Sequence, residues 1–217
     1  MPAAKRLFSK TLTLSDITCR RGGRVLFQNV SLTVPPGGIV HLTGRNGAGK
    51  SSLLRLIAGA LPTAAGRVLW DGADISEMDR EDYAQDYAFL PPDDRDLKLL
   101  ETARENLLFW AMLWKIKTPD AAVNAALADM GLAPLADVPV RVFSAGQKRR
   151  LSLARLRMKQ SALWLLDEPF NALDSHAADL LADALRAHAA AGGIVVLAAH
   201  QAPALAGVTA LPLGAAA

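Results

Sequence analysis

Gly44-Arg45-Asn46-Gly47-Ala48-Gly49-Lys50-Ser51 is the stretch on which the fold turns. The apolar run Ile39-Val40-His41-Leu42-Thr43 precedes it and reads as a strand. From Lys50, Ser51-Ser52-Leu53-Leu54-Arg55-Leu56-Ile57-Ala58 reads as a helix, stopped by Gly59 and Pro62. The octapeptide fits G-x-x-x-x-G-K-[ST] in the strand–loop–helix setting that this pattern requires. Its glycines let the backbone wind tightly enough for successive N–H groups to converge on phosphate oxygens, and the helix N-terminus adds partial positive charge. Lys50 then reaches the β- and γ-phosphates and the Ser51 hydroxyl is placed to ligate Mg²⁺. Gly44, Arg45, Asn46, Gly47, Ala48, Gly49 and Ser52 complete the candidate nucleotide cradle. The bland alternative is an ordinary glycine-rich turn.

Downstream, Leu163-Trp164-Leu165-Leu166 runs into Asp167-Glu168-Pro169. In an α/β sheet the C-terminal ends of strands surround the ligand crevice. Asp167 there suits Mg²⁺, usually through water, and Glu168 suits a general base that polarises the attacking water. An isolated Asp-Glu is a polar strand cap; a phosphate loop in the same chain calls for such an acid. Ile194-Val195-Val196-Leu197 is a second continuous apolar run, and residues 176–191 between them are helical, which makes a βαβ unit with buried parallel strands. Upstream, residues 11–18 and 30–34 alternate as strands, and Val68-Leu69-Trp70 is a strand before the Asp71-Gly72 turn. Residues 102–114, 121–130 and 145–159 carry helical periodicity around Gly131, Pro134 and Pro139, which predicts a helical lobe of about 60 residues.

The 217 residues are 51% hydrophobic and 21% charged, which excludes disordered and fibrous classes. With 24 basic and 21 acidic residues the net charge is +3, too weak a bias to argue for nucleic acid. Cys19 is the sole cysteine and has no partner for an internal disulfide. Lys5 and Arg6 precede Leu7-Phe8, but Ser9, Lys10 and Asp16 interrupt the apolar run that a signal peptide needs. Residues 189–217 lack any Asp, Glu, Lys or Arg, so a membrane helix is the sharp reading of the C-terminus. His200, Gln201, Pro203 and Pro212, with glycines at 192, 193, 207 and 214, cut that stretch into two short strands. A spanning helix needs about 20 consecutive apolar residues, so a soluble chain is expected.

Phe143-Ser144-Ala145-Gly146-Gln147-Lys148-Arg149-Arg150, taken alone, is a helix cap that offers hydroxyl and N–H donors to an anion. In its place along the chain it resembles the signature of the ABC ATPases, with Ala145 where the commonest form has glycine. Gly44 to Ser51, Ser144 to Gln147, Leu163 to Glu168, Asn171-Ala172-Leu173-Asp174 and His200 follow that family's order across almost the whole chain. A finer resemblance, to the haem-exporter ATPases of cytochrome c maturation (the CcmA family), lies in five strings. They are Cys19-Arg20-Arg21-Gly22-Gly23-Arg24-Val25-Leu26-Phe27, Val68-Leu69-Trp70-Asp71-Gly72, Ser144-Ala145-Gly146-Gln147, Asp167-Glu168-Pro169-Phe170-Asn171-Ala172-Leu173-Asp174 and His200-Gln201.

The resemblance implies an α/β fold: a P-loop NTPase domain of ABC type with a RecA-like core, an antiparallel β subdomain and an inserted helical subdomain. One ABC domain would span residues 1–217, with core and β subdomain from about 1–92 and 158–217 and the helical part from about 93–157. It implies ATP hydrolysis, with ATP and Mg²⁺ bound, by a homodimer formed on ATP binding. Ser144, Ala145, Gly146 and Gln147 of one copy would close on nucleotide held by the other. His200 would contact the γ-phosphate and Asp174 would couple the two sites. The implied setting is the cytoplasmic face of a bacterial inner membrane, peripheral to integral membrane subunits that move haem or release a haem-loaded chaperone. Direct haem binding is not expected, since no Cys-x-x-Cys-His occurs. An exporter of another substrate remains open, as does a soluble ABC ATPase without membrane partners. Soluble members usually carry two ATPase units or long coiled-coil insertions, for which 217 residues leave no room.

Two positions depart from the family. Arg21, before Gly22, stands where an aromatic residue stacks on adenine. Its guanidinium can stack on a base or be solvated, and weak adenine discrimination is expected. After Phe89-Leu90-Pro91 the family carries a glutamine that touches Mg²⁺ and water; here Pro92 and Asp93-Asp94-Arg95-Asp96 follow. Proline has no side-chain ligand, so either Asp93 substitutes at the metal or the contact is lost. Slower, Mg²⁺-dependent hydrolysis is expected, with the loop serving for docking. Leu107-Leu108-Phe109-Trp110 and Leu113-Trp114 are either helical-lobe core or a patch that receives a helix of a membrane protein.

Overall fold

The structure, a computed structural model, describes residues 7–200 and 205–214. Lys5, Arg6, Gln201 and Pro203 lie outside them. In chain order the elements begin β1 (Leu12–Arg21), β2 (Arg24–Val34), β3 (Ile39–Thr43), α1 (Lys50–Ile57), β4 (Ala65–Trp70), β5 (Ala73–Asp74), α2 (Arg80–Asp86) and β6 (Tyr87–Leu90). They continue α3 (Ala103–Leu113), α4 (Pro119–Asp129), α5 (Ala145–Met158), β7 (Leu163–Asp167), α6 (Ser175–Ala190), β8 (Ile194–Ala198) and β9 (Val208–Pro212). The chain divides into two compact units. One comprises Met1–Phe89, Ser161–Glu168 and Leu185–Ala217; the other comprises Leu90–Gln160 and Pro169–Ala184.

The first unit holds two sheets. One is antiparallel, in the order β2-β1-β4-β5. Alternation along β1 puts Leu12, Leu14, Ile17 and Cys19 into the core, with a register shift between Leu14 and Ile17 where Asp16 takes φ 51°. The other sheet has the order β6-β7-β8-β3-β9, and β7, β8, β3 and β9 run parallel. Every residue of β7 and β8 is buried, as continuous apolar strands covered on both faces should be. Leu12, Ile17 and Trp70 of the first sheet join Val40, Leu42, Leu163, Leu165 and Val196 of the second, with Leu53, Leu54, Leu56 and Ile57 of α1, in one core. Each such fully buried aliphatic side chain contributes about 2 kcal/mol.

Residues 80–90 show no clear apolar period, yet they form α2 and β6. Asp79 caps α2 by accepting hydrogen bonds from the Glu81 and Asp82 N–H groups, and Trp70 and Lys10 both donate to Asp86. The charge-free C-terminal stretch provides β8 and β9, and among the described residues no helix is long and apolar enough to cross a membrane.

In the second unit α3, α4 and α5 pack on one another. Leu107 and Ala111 of α3, Val123, Ala126 and Leu127 of α4, and Leu151 and Ala154 of α5 are buried. The apolar run of α3 is therefore divided by face. Leu107 is core, whereas Phe109, Met112 and Leu113, at helical spacing, are exposed. Leu99 and Leu100, just before α3, are exposed as well.

Candidate active site

β3, β7 and β8 are parallel, and Leu42 and Asp167 both lie opposite Ala198. The residues that follow these strands therefore emerge at one edge of the sheet. They are Gly44, Glu168 and His200.

The loop after β3 ends in Gly49, which precedes α1 with φ 98°. A Cβ at Gly49 would lie 2.8 Å from the Phe27 ring, so both the backbone conformation and the space restrict this position to glycine. At Gly44 (φ 137°) a Cβ would fall 2.5 Å from the Leu213 carbonyl oxygen. No side chain caps α1 and no acidic residue occupies its first turn, so its N-terminal N–H groups and dipole face the loop. Arg45, Asn46 and Gly47 are exposed, while Ala48 is buried beneath them. Lys50 is 8% exposed, and its Nζ donates to the Gly44 carbonyl at 2.7 Å and to that of Arg45 at 3.4 Å. The ammonium is thus folded over the loop that it would share with a phosphate. Ser51 and Ser52 are half-buried in the first turn of α1. Ser52 is hydrogen-bonded to Cys19, whose thiol is pushed up by burial, against the opposing effects of Arg21 and that hydrogen bond. A buried thiol of raised pKa is chemically quiet.

Asp167 ends β7 with 2% exposure. Glu168 follows with φ 46°, a left-handed conformation that costs a non-glycine residue about 1–3 kcal/mol. Its N–H donates to the Ala198 carbonyl at 2.7 Å, which holds this turn against β8. Glu168 Oε1 lies 3.7 Å from His200 Nε2. His41 Nε2 lies 2.8 Å from the Ala199 carbonyl oxygen and so secures the end of β8. Sequence reading missed His41 and Phe27 as supports. The available signal at His41 was a polar side chain inside an otherwise apolar strand.

In the second unit Ser144 is the N-cap of α5. Its Oγ accepts from the Gln147 N–H at 3.2 Å, and Gln147 Oε1 accepts from the Ser144 N–H at 2.8 Å. The Ser144 hydroxyl proton is left over for an anion. Ser144 and Ala145 are exposed. A Cβ at Gly146 would lie 2.9 Å from the Ala172 carbonyl oxygen, so glycine lets residues 171–174 lie against the start of α5. Asp174 accepts from the Ala177 N–H at 2.8 Å in the first turn of α6, a capping role in addition to any coupling role.

Arg21 is exposed at the tip of the β1–β2 hairpin, opposite Arg24. Asp93 is paired with Arg95, Oδ2 to Nε 3.0 Å, on an exposed face. The neighbouring Asp94 and Asp96 turn instead toward α5 and pair with Arg149 and Arg155, contacts that sequence reading did not anticipate.

The donor set available for a metal is the Ser51 hydroxyl and the Asp167 carboxylate, both hard oxygen ligands. Among the described residues no cluster of three His, Cys, Asp or Glu side chains forms a protein cage. That chemistry fits Mg²⁺, which takes one or two protein oxygens and completes its shell with substrate phosphates and water.

The family described as ABC transporter matches residues 27–171. The cytochrome c biogenesis ATP-binding export protein CcmA of Paramagnetospirillum magneticum is 46% identical over 192 residues, covering 88% of each chain. That of Rhodospirillum rubrum is 44% identical over 198 residues, covering 91% of this chain and 83% of its own. Among solved structures, an ABC transporter ATP-binding protein from Pyrococcus furiosus superposes with a TM-score of 0.81 at 21% identity, covering 94% of this chain and 97% of that one. The cbiO1 protein of Clostridium perfringens superposes with a TM-score of 0.76 at 23% identity, covering 89% and 80%. At these identities the solved structures speak to the fold, and their fold is this one.

Proposed function

We infer that this chain, which belongs to the ABC transporter family and within it to the CcmA proteins, is the ATP-hydrolysing subunit of an export complex in cytochrome c biogenesis. The observation that carries this reading is that Gly44, Glu168 and His200 follow parallel strands at one edge of the sheet, with the Lys50 ammonium bonded to the Gly44 carbonyl. Relatives named for cytochrome c biogenesis and export support the setting. The species handled is haem or a haem-loaded chaperone, in keeping with the residue strings described above. The complex supplies integral membrane subunits, with this chain peripheral on the cytoplasmic face.

In this reading the loop from Gly44 to Ser51 wraps the triphosphate with backbone N–H groups, and Lys50 exchanges its loop carbonyls for β- and γ-phosphate oxygens. Ser51 and Asp167 would hold Mg²⁺, which would supply charge neutralisation at the triphosphate. Glu168 takes a proton from the attacking water. His200, beside Glu168, donates to the γ-phosphate and ties that carboxylate's position to the presence of the phosphate. Ser144, Ala145, Gly146 and Gln147 of a second copy close on the same γ-phosphate, and Asp174 links the two sites. Arg21 lies against the base, and its unspecific stacking gives weak adenine discrimination. Asp93, already paired with Arg95, serves docking rather than metal binding.

Purified complexes test this directly. Lys50→Ala is expected to abolish nucleotide binding, and Glu168→Gln to retain it while hydrolysis falls by about 10²–10⁴-fold. A strain carrying Lys50→Ala loses holo-cytochrome c while other exports continue. Normal holo-cytochrome c in that strain would move the protein to another export substrate.

A further inference from the structure

We propose that Asp94 and Arg149 are positioning residues for the signature turn. They tie the loop after β6 to α5, so that the loop and Ser144–Gln147 move as one piece. The inference rests on the two-copy reading above, in which that turn closes on nucleotide held by a partner copy.

The tie is a ladder on one face of α5. The Arg149 side chain is 3% exposed, and its Nη1 donates to the Pro91 carbonyl at 2.9 Å and reaches Asp94 Oδ1 at 3.4 Å. One turn on, the buried Ser152 donates from Oγ to the same Asp94 oxygen at 2.8 Å. One turn further, Arg155 pairs with Asp96 and stacks its guanidinium on Trp110 of α3, 4.9 Å from the ring centroid. Residues 149, 152 and 155 recur at the three-residue spacing that aligns side chains along a helix.

The loop meets this spacing through a turn, closed by the Leu97 N–H donating to the Asp94 carbonyl at 3.1 Å. Asp94 and Asp96 face α5, whereas Asp93 and Arg95 face away and pair with each other. Two partly exposed carboxylates thus answer two buried guanidinium groups. Separating the loop from the helix would break the Arg149 and Ser152 bonds to Asp94 and the Arg155–Asp96 pair together, so the low-energy motion carries both as one. Arg149 lies in the second turn of the helix whose first turn is the Ser144–Gln147 capping box, so a push on the loop is delivered to that box.

The test compares the wild-type chain, Asp94→Asn and Arg149→Lys, each in its membrane complex. Asparagine keeps the shape and still accepts from Ser152 but gives up the charge facing Arg149. Expected is a fall in kcat of about ten- to a hundredfold, the scale set by misplacing a positioned group. KM and the affinity for a fluorescent ATP analogue stay within about twofold, because the phosphate loop is unchanged. Amide exchange over residues 144–148 accelerates in Asp94→Asn while the rest of α5 keeps its protection. Two outcomes overturn the inference: kcat unchanged in both variants, or kcat and nucleotide affinity falling together with the folded fraction. A wild-type complex without ATP turnover sinks the two-copy reading and this inference with it; an active wild type with indifferent variants sinks this inference alone.

Discussion

His188 shows how a single side chain can serve the site without touching it. Its ring stacks on Trp164 of β7 at 4.1 Å and 9°, with Phe8 at 5.6 Å. A Cβ on Gly193 would fall 2.2 Å from its Nε2, so the turn into β8 needs glycine to admit the ring. This stack anchors β7, the strand that ends in Asp167. Burial pushes His188 down to about 4, against backbone hydrogen bonds at Ile194 and Ala162 that favour the charged form. The folded protein keeps the ring neutral while the unfolded chain takes a proton below about pH 6.5. The resulting stability is therefore complete above that pH and drains away as pH falls toward 4, by up to about 3 kcal/mol. Thermal melts from pH 7 to 4 should show this decline, and His188→Gln should flatten it. A variant with the wild-type slope would assign the acid sensitivity to other groups. Trp164 and His188 are each legible as ordinary residues of a strand and a helix; their meeting is not, because it depends on how the helix returns.

At the scale of elements, α3 and α5 start alike and differ in use. Thr102 Oγ1 accepts from the Glu105 N–H at 3.2 Å and Glu105 Oε2 accepts from the Thr102 N–H at 2.7 Å, the same reciprocal box that Ser144 and Gln147 make. Capping residues of this kind are worth about 1 kcal/mol. Thr102→Ala and Ser144→Ala should each lower unfolding free energy by about that much, read from denaturant midpoints. Only Ser144→Ala should also slow ATP turnover; equal turnover in the two would make Ser144 a cap and nothing more. The helices and most strands are legible because period and punctuation are local. α2 escapes that reading because Arg80, Glu81, Asp82 and Asp86 mask its period, although Asp79 before it is a recognisable cap. α5 deceives in a different way. Its buried face carries Arg149, Ser152 and Arg155, so hydropathy alone misjudges which side is inside.

For the whole molecule, the proposed cycle predicts a change of assembly. Glu168→Gln, which holds ATP without cleaving it, should double its mass by light scattering when ATP replaces ADP, and Ser144→Arg added to it should prevent the doubling. A mass indifferent to nucleotide, both for the isolated chain and within the membrane complex, would rule out the two-copy site. The exposed Leu99, Leu100, Phe109, Met112 and Leu113 leave an apolar surface on the second unit, a surface of the kind that partners cover.

The phosphate loop, the acidic strand end and the order of motifs were determined by the sequence by itself. Their requirements are local: a left-handed glycine, a lysine one residue later, two carboxylates closing an apolar run. The supports of the site were decided only by tertiary structure. Ser152 and Asp94 lie 58 positions apart, and His41 and Ala199 lie 158 apart. Among Asp93, Asp94 and Asp96 the letters are the same, and which carboxylate meets a guanidinium of α5 rather than Arg95 depends on which side of the loop faces the helix. Only chain folding sets that side, because the energy that selects it, the desolvation of a buried charge, exists only once the helix is there.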